Sequence, residues 1–395
     1  MKKNSAPSPN PKQPSTVKKA VSLEAFVFLA IFVGGFTLIG MKMGLTNMLN
    51  TMMNTGYELL MDTVFYIMAI AVLAGAIGAL LTEFGVVALI NKLLSPLMGV
   101  LYGLPGAASV GVVTTYLSDN PAILTLADDP SFRRYFKKYQ LPALTNLGTA
   151  FGMGLVVTAF MLGMNMPKIG LAVLVGNLGA VVGSIVSARL MICFTRKVYN
   201  PEEWCDVPKD LEDTDLDHRK VRPGGVGSRL LAALMEGGTS GVKMGMEIIP
   251  GVLLICTFVL MLTKGPGEAG VYTGAAYEGV AVLPWIGEKL SFILKPLFGF
   301  SSSACISVPV TALGAAGAAI GLVPDLLKDG LAAARDIAVF TSMCMCWSGY
   351  LSTHVAMMSG LKCSHLTGKA ILCHTIGGAC AGIFANWAFY FLSML

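Results

Sequence analysis

Charged residues are what this sequence has least of. Asp, Glu, Lys and Arg supply 13% of its 395 positions, about half the roughly 25% of a typical soluble domain. With 54% apolar residues, the chain cannot cover an aqueous surface with polar side chains. An ordinary cytosolic enzyme is excluded, and so is a disordered protein. Aromatic residues are also few, at 9%, while Gly reaches 45 and Met 23. That balance fits closely packed helices rather than a β-barrel with aromatic girdles. The nine Cys are scattered through apolar segments and form no secreted disulfide pattern. There is no Gly-x-x-x-x-Gly-Lys-Ser/Thr loop, no His-Glu-x-x-His and no Gly-x-Ser-x-Gly, so the signatures of nucleotide-binding loops, zinc peptidases and serine hydrolases are missing. No enzyme activity is expected. What is left is an all-α integral membrane protein, a polytopic helical bundle.

What is present is a series of apolar runs. Residues 1–20 are rich in Pro, Ser and Lys and read as a disordered basic tail. Residues 21–45 hold the run Val21–Met41, which lacks a small-residue cleavage site at its end and reads as an N-terminal anchor helix. Lys2, Lys3, Lys12, Lys18 and Lys19 precede it, which places the N-terminus in the cytoplasm. Tyr57–Leu81, Leu141–Met164, Ile169–Phe194, Glu247–Leu262, Val339–Leu361 and Lys369–Leu395 read as further spans, the fourth continuing a helix from near Gly241. Leu45–Gly56 has no Lys or Arg, as expected of an outside connection. Residues 196–229 form one large polar loop with Arg196, Lys197, Arg219, Lys220, Arg222 and Arg229 near its ends, as expected inside.

The stretches before and after that loop repeat one layout: an acid-bearing helix, a Pro-Leu amphipathic segment, a small-residue segment and two closing spans. Residues 56–62 lie over 241–247, and 94–99 over 294–299. Lys168, Leu171, Gly176 and Ala180 lie over Lys369, Leu372, Gly377 and Ala381. Charge placement puts Asp62 near the outer face and Glu247 near the inner face. Residues 56–195 and 230–395 are therefore expected to be inverted-topology repeats. After each Pro-Leu block, Gly103–Pro121 and Ser301–Leu322 are too short and too rich in small or polar residues for a clean span. They are expected as broken, re-entrant hairpins lining a shared cavity, since irregular backbone at membrane depth survives only inside protein or beside water. A Gly-rich packing helix is the plainer reading.

Asp62 and Glu247 open matching apolar helices, and an ionisable group inside a bilayer usually marks an ion or proton path. They are the expected ion-coupling residues; the bland alternative is an acid that complements a helix dipole. Ser118, Asp119 and Asn120 stand beside Pro121 in the first interrupted segment, and Ser302 and Ser303 in the second. Asn146 and Thr149 share one turn of the next span. Ser348 and Ser352 are four apart, as are Tyr350 and His354, so each pair shares a helix side. Ser118, Asp119, Asn120, Asn146, Thr149, Ser302, Ser303, Ser348, Ser352 and His354 are expected to bind substrate, against the plainer reading of caps and inter-helix glue. Cys344, Cys346, Cys363, His365, Cys373 and His374 invite a metal reading. Cys-x-Cys is not the usual zinc spacing, and Cys is comfortable in a core, so no metal site is expected.

The doubled unit resembles the nucleoside-recognition, or Gate, family over roughly residues 50–395. Cys346-Trp347-Ser348-Gly349-Tyr350-Leu351-Ser352-Thr353-His354-Val355-Ala356-Met357-Met358, with residues 368–378, is similar to its bacterial YjiH-like branch. The resemblance implies two Gate-like units and a transport-like protein of the bacterial inner membrane. It carries no residue-by-residue nucleoside signature onto this chain. The expectation is a secondary transporter of a small polar solute, a nucleoside or related metabolite by resemblance, driven by an H⁺ or Na⁺ gradient. A non-transporting scaffold of the spore-maturation type and a metal-ion permease are the rivals. No cofactor is expected beyond the coupling ion. The expected partners are the lipid bilayer and a small-molecule substrate, with a homo-oligomer left open and no nucleic acid.

Overall fold

The computed structural model describes residues 20–118, 122–128, 130–205, 221–267 and 270–394. The basic tail before Ala20 and the middle of the 196–229 loop lie outside them. Among the described residues the chain is helical, with a single isolated β-bridge between Lys137 and Trp204. Among the described residues six helices are long and apolar enough to cross a membrane; a bent pair, Ser291–Phe298 with Ser303–Ala312 at 78°, would make a seventh.

Leu23–Met43 (α1) ends where Gly44 turns to a φ of 82°. Leu45–Glu83 (α2) follows as one helix of 39 residues. Leu45–Gly56, read from sequence as a connection, is instead its first turns. The polar residues there tie down a different segment: Asn47 and Asn54 donate to the carbonyls of Tyr272 and Gly274, at 2.9 and 2.8 Å. That loop is held from within by buried Glu278, which accepts from the Thr273 amide and hydroxyl and the Gly274 amide. Burial pushes the Glu278 carboxyl up, but those donors outweigh it and hold it below the usual range.

Val86–Tyr102 (α3) is the first amphipathic segment. Ala108–Leu117 (α4) is the helix of the first interrupted segment, Gly103–Pro121, and Ala122–Asp128 (α5) follows it. Ala143–Thr149 (α6), Gly154–Leu162 (α7) and Ile169–Thr195 (α8) complete this half. Val226–Thr263 (α9) has 38 residues, and starts well before the Gly241 read from sequence. Its buried stripe is Ala233, Gly237, Gly241 and Gly245, recurring every four residues. Small residues let backbones meet where lipid leaves little hydrophobic drive between helices. A Cβ on Gly237 would lie 2.3 Å from the Gly75 carbonyl oxygen, and one on Gly241 2.4 Å from that of Ala71. The helix therefore extends as far as α2 offers it a surface.

Both long helices carry a π-helical turn, Leu59–Val64 in α2 and Val252–Cys256 in α9, and the two turns pack together. A third, Met98–Tyr102, closes α3. Two of the three begin two residues after a proline, Pro96 and Pro250. Proline lacks the amide donor and crowds the carbonyl four residues back, so a wider turn relieves the local conflict. Arg189 of α8 takes up carbonyls around the third, donating to Leu101 O at 2.8 Å and to Val100 O.

The second half continues with Val282–Lys289 (α10), Ser291–Phe298 (α11), Ser307–Ala312 (α12), Ala316–Gly321 (α13) and Val323–Lys328 (α14). It closes with Ala334–Trp347 (α15), Tyr350–Gly360 (α16) and Thr367–Leu392 (α17). Val339–Leu361, expected as one span, is thus two helices divided at Ser348 and Gly349. The core sits where α8, α15 and α17 pack together. There α8 and α17 meet at Gly183 and Gly377, where a Cβ on either would lie 2.6 Å from the other's carbonyl oxygen. Lys168, at the start of α8, donates to Ser393 O beyond the end of α17, so the two run antiparallel.

Candidate functional site

Two broken helical stretches, 143–162 and 334–360, pack against each other. In the first, α6 and α7 are separated by a turn over 150–153 in which Met153 takes a φ of 55°. In the second, α15 and α16 are separated at Ser348 and Gly349, the latter at φ 67°. Helix α6 packs on α16, and α7 on α15, so the spans oppose each other half by half. The breaks touch, because the Ser348 hydroxyl donates to the Gly152 carbonyl at 3.2 Å. Each break frees backbone groups that a continuous helix would satisfy internally, and the partner break takes up one of them.

Each interrupted segment lands on a break. From the second, Gly349 N donates to Ala312 O at 2.9 Å and Leu351 N to Leu313 O at 3.3 Å. Buried Asp336 pins the root of this segment to α15, accepting from Ser301 N, Ser301 Oγ and Ala333 N. From the first, the Tyr116 ring lies against Gly154, and its hydroxyl bonds to Thr158 Oγ1 at 3.0 Å and Asn177 Oδ1 at 3.1 Å.

The crossing gathers four of the side chains read from sequence: Asn146, Thr149, Ser348 and His354, all buried. Asn146 donates to Ser187 Oγ at 2.9 Å and to Ala370 O at 3.0 Å, while its Oδ1 has no partner. Ser187 in turn bonds to His374 Nδ1 at 2.8 Å, and His374 Nε2 reaches the Cys346 carbonyl. A carbonyl only accepts, so Nε2 carries the proton and Nδ1 accepts from Ser187. Thr149 reaches across the crossing to Met357 Sδ at 3.6 Å. Ser352 lies on α16, one turn from Ser348.

The other expected site residues lie elsewhere. Ser118 ends α4, its hydroxyl on Thr114 O at 2.6 Å. Asp119 and Asn120 lie outside the described residues. Ser302 and Ser303 line a separate cavity of about 290 Å³ with Ser301, Glu288 and Lys295. Asp62, on the π turn of α2, lines a cavity of about 180 Å³ with Glu58, Tyr66, Tyr277, Asp325 and Lys328. Burial raises Asp325 there; Lys264 and Lys328 oppose the rise, while Asp329 and Glu58 add to it. Glu247 is on the exposed face of α9 and does not line this cavity. Nor do Asp62 and Glu247 stand at opposite ends of the α2–α9 pair. The antiparallel contacts Gly75–Gly237 and Ala71–Gly241 bring Asp62 level with about Pro250, one turn from Glu247. The sequence placement took each acid as the start of its helix, whereas both helices begin well before it.

Some participants escaped the sequence reading. Asn177 is a lone amide in the apolar α8, and Asp325 follows Pro324 just beyond the second interrupted segment; each carried a signal that was available. Tyr116 and Ser187 carried none, because their roles depend on what crosses them. Glu83 ends α2 and accepts from Arg229 Nε at 2.7 Å and from Arg222, which locks the end of α2 to the start of α9. Among the described residues no three His, Cys, Asp or Glu are grouped to hold a metal ion.

No protein-family model and no curated protein matches the chain. Solved structures do. A variant of CNTnw in an intermediate state superposes with a TM-score of 0.53 at 14% identity, over 92% of this chain and 85% of that one. CNTnw in an inward-facing substrate-bound state gives 0.52 at 14%, over 83% and 79%. A double variant in an outward-facing state gives 0.51 at 14%, over 94% and 85%. These are concentrative nucleoside transporter structures. At such identity the likeness shows a shared fold: this chain has the helical architecture of a membrane transporter.

Proposed function

We propose that the protein is a secondary transporter that moves a small polar solute, a nucleoside or related metabolite, on an H⁺ or Na⁺ gradient. One observation carries the reading: two broken spans meet at their breaks, and an interrupted segment lands on each. Continuous helices would pack a membrane bundle more simply, and broken helices at a repeat interface are the usual setting for a solute site. The fold shared with transporter structures supports it. On this reading Asn146, Thr149, Ser348, Ser352 and His354 contact the solute at the crossing, joined by Ser118, Asp119 and Asn120 from the first segment. Ser302 and Ser303 serve at the mouth of the second. Asp62 takes the coupling cation in its acid-lined cavity, and Glu247 acts as the second coupling acid. The chain is a multi-pass protein of the bacterial inner membrane with its N-terminus in the cytoplasm, built from two Gate-like units of the YjiH-like branch. The inverted pair of units would supply the alternating motion.

The test is uptake of labelled nucleosides into proteoliposomes under an imposed proton or sodium gradient. Asp62→Asn or Glu247→Gln keeps size and removes charge, and at least one is expected to abolish gradient-driven uptake in a normally folded protein. Full uptake by both single variants and the double variant would remove the coupling assignment. Absence of gradient-driven uptake by the unmodified protein across nucleosides, amino acids and polyamines would remove the transport reading.

A further inference from the structure

His354 is the least satisfied polar group at the crossing. It is fully buried. Among the described residues neither ring nitrogen has a partner of full hydrogen-bonding geometry, and the Tyr350 carbonyl one turn earlier is the one backbone acceptor near the ring. A buried donor or acceptor left unpaired is destabilising by roughly 1–3 kcal/mol, and native structures hold few of them. His374 makes the contrast. Its ring centroid is 4.6 Å from that of His354, yet both its nitrogens are engaged, one by Ser187 and one by the Cys346 carbonyl. Two histidines thus stand ring to ring, one fixed in a single tautomer and one uncommitted.

Among the described residues, the surroundings of His354 carry no charge to pair with it. From α17 the titratable group that faces it is His374; on its own helix it is Tyr350, edge-on at 5.5 Å. Helix α6, packed on α16, brings Thr145, Asn146 and Thr149 and no titratable side chain. The second interrupted segment brings α12, Ser-Val-Pro-Val-Thr-Ala, with none either. The 3₁₀ turn Ser364–Leu366 carries His365, near Tyr199 Oη and Cys363. One unfilled acceptor is available on α6, Asn146 Oδ1.

We propose that His354 is the proton-binding site of the crossing, and that taking up a proton there favours the arrangement in which the breaks part and water enters. The step balances simply: a hydronium ion gives its proton to a ring lone pair and leaves as water, and the ring becomes an imidazolium with two N–H donors. In the closed crossing the Tyr350 carbonyl is the one acceptor near those donors, and a buried charge so poorly partnered is strongly disfavoured. Open, they bond to water and come within range of acceptors such as Asn146 Oδ1. Proton uptake and opening are therefore linked: each favours the other. His374 cannot take this role without giving up its bond from Ser187.

The inference rests on the crossing as the moving part, but not on any cargo, so its test needs no transport. Hydrogen–deuterium exchange of the purified full chain in detergent is followed over residues 146–156 and 346–356, at about pD 5.5 and about pD 8, the range over which an imidazole changes charge. The unmodified protein and His354→Gln are compared at each pD, which cancels the chemical dependence of exchange on pH. Exchange in the unmodified protein, relative to the variant, is expected to be several-fold faster at the lower pD and equal at the higher. An equal ratio at both overturns the proposal. If His354→Gln does not fold, ¹⁵N-histidine NMR of the unmodified chain decides: the His354 ring is expected to titrate with the Tyr350 signals following it, while His374 keeps its Nε2–H tautomer. A His354 that never titrates, or a His374 that titrates in its place, overturns it. Exchange that depends on His354 alongside absent uptake would remove the transport reading and leave this one standing.

Discussion

The two breaks are alike in backbone and unlike in chemistry. Both divide a helical stretch, both hold a residue at positive φ, and both receive an interrupted segment. Yet the first is followed by Gly-Leu-Val-Val-Thr-Ala-Phe-Met-Leu, and the second by Tyr-Leu-Ser-Thr-His. The first receives a side chain, the Tyr116 ring against Gly154; the second receives backbone, Gly314 against Gly349. Two breaks can thus match in backbone outline while the polar side chains gather after one of them. The half with the tighter backbone contact holds the uncommitted histidine.

Substitution at the two glycines gives the largest test of that difference. A Cβ on Gly349 would lie 2.9 Å from the Gly314 carbonyl oxygen and would also have to accept a φ of 67°. Left-handed backbone alone costs an L-residue about 1–2 kcal/mol, and backbone cannot step aside. Gly349→Ala is expected to destabilise by about 3 kcal/mol. A Cβ on Gly154 would lie 2.3 Å from the Tyr116 ring, but a side chain can shift, so Gly154→Ala should cost about 1–2 kcal/mol. Thermal unfolding of both variants ranks them, and the reverse order would refute the distinction between backbone and side-chain seating.

The link between the breaks is a smaller effect. Ser348→Ala removes the donor to the Gly152 carbonyl, a loss of about 1 kcal/mol, read as a drop of roughly 2 °C in Tm. No change would mean that the breaks are merely adjacent.

The smallest effect lies outside the crossing, in the acid cavity beside the second half. Burial raises Asp325, so its ionised form is disfavoured in the folded protein. The penalty is absent at low pH and appears as pH rises through the ordinary carboxyl value near about 3.9. Asp325→Asn should therefore raise Tm by about 1–2 °C at neutral pH and leave it unchanged near about pH 3.5. A stabilisation that persists in acid would point to packing instead of charge.

Much of this molecule was legible in the chain, element by element. The apolar runs gave α1, α8 and α17 nearly to their ends, because a membrane span announces itself by length and composition. The interrupted segments were legible because Gly, Ser and Pro cluster where a continuous helix fails. The first turns of α2 and α9 were not. Leu45–Gly56 and the stretch from Val226 to Gly241 look too polar for a span; the first is tied by Asn47 and Asn54 to the loop at Tyr272 and Gly274, and the second carries small residues spaced to meet α2. At the crossing, Asn146, Thr149, Ser348 and His354 stood out as polar residues in apolar helices. Tyr116, Ser187 and the contact between Ser348 and Gly152 did not, since residues 196 apart in the chain carry no mark of meeting.

The sequence by itself determined that this is a helical membrane protein, because a chain with so little charge has no other way to satisfy its backbone and bury its side chains. It also determined where helices must fail, through proline, glycine and serine. Only the tertiary structure decided which failures meet. That outcome depends on the close seating of Gly183 on Gly377 and of Gly75 on Gly237, which sets the level of every residue along each helix pair. The same seating brings Asp62 and Glu247 level rather than opposite, and among the described residues it leaves buried His354 with less hydrogen bonding than buried His374.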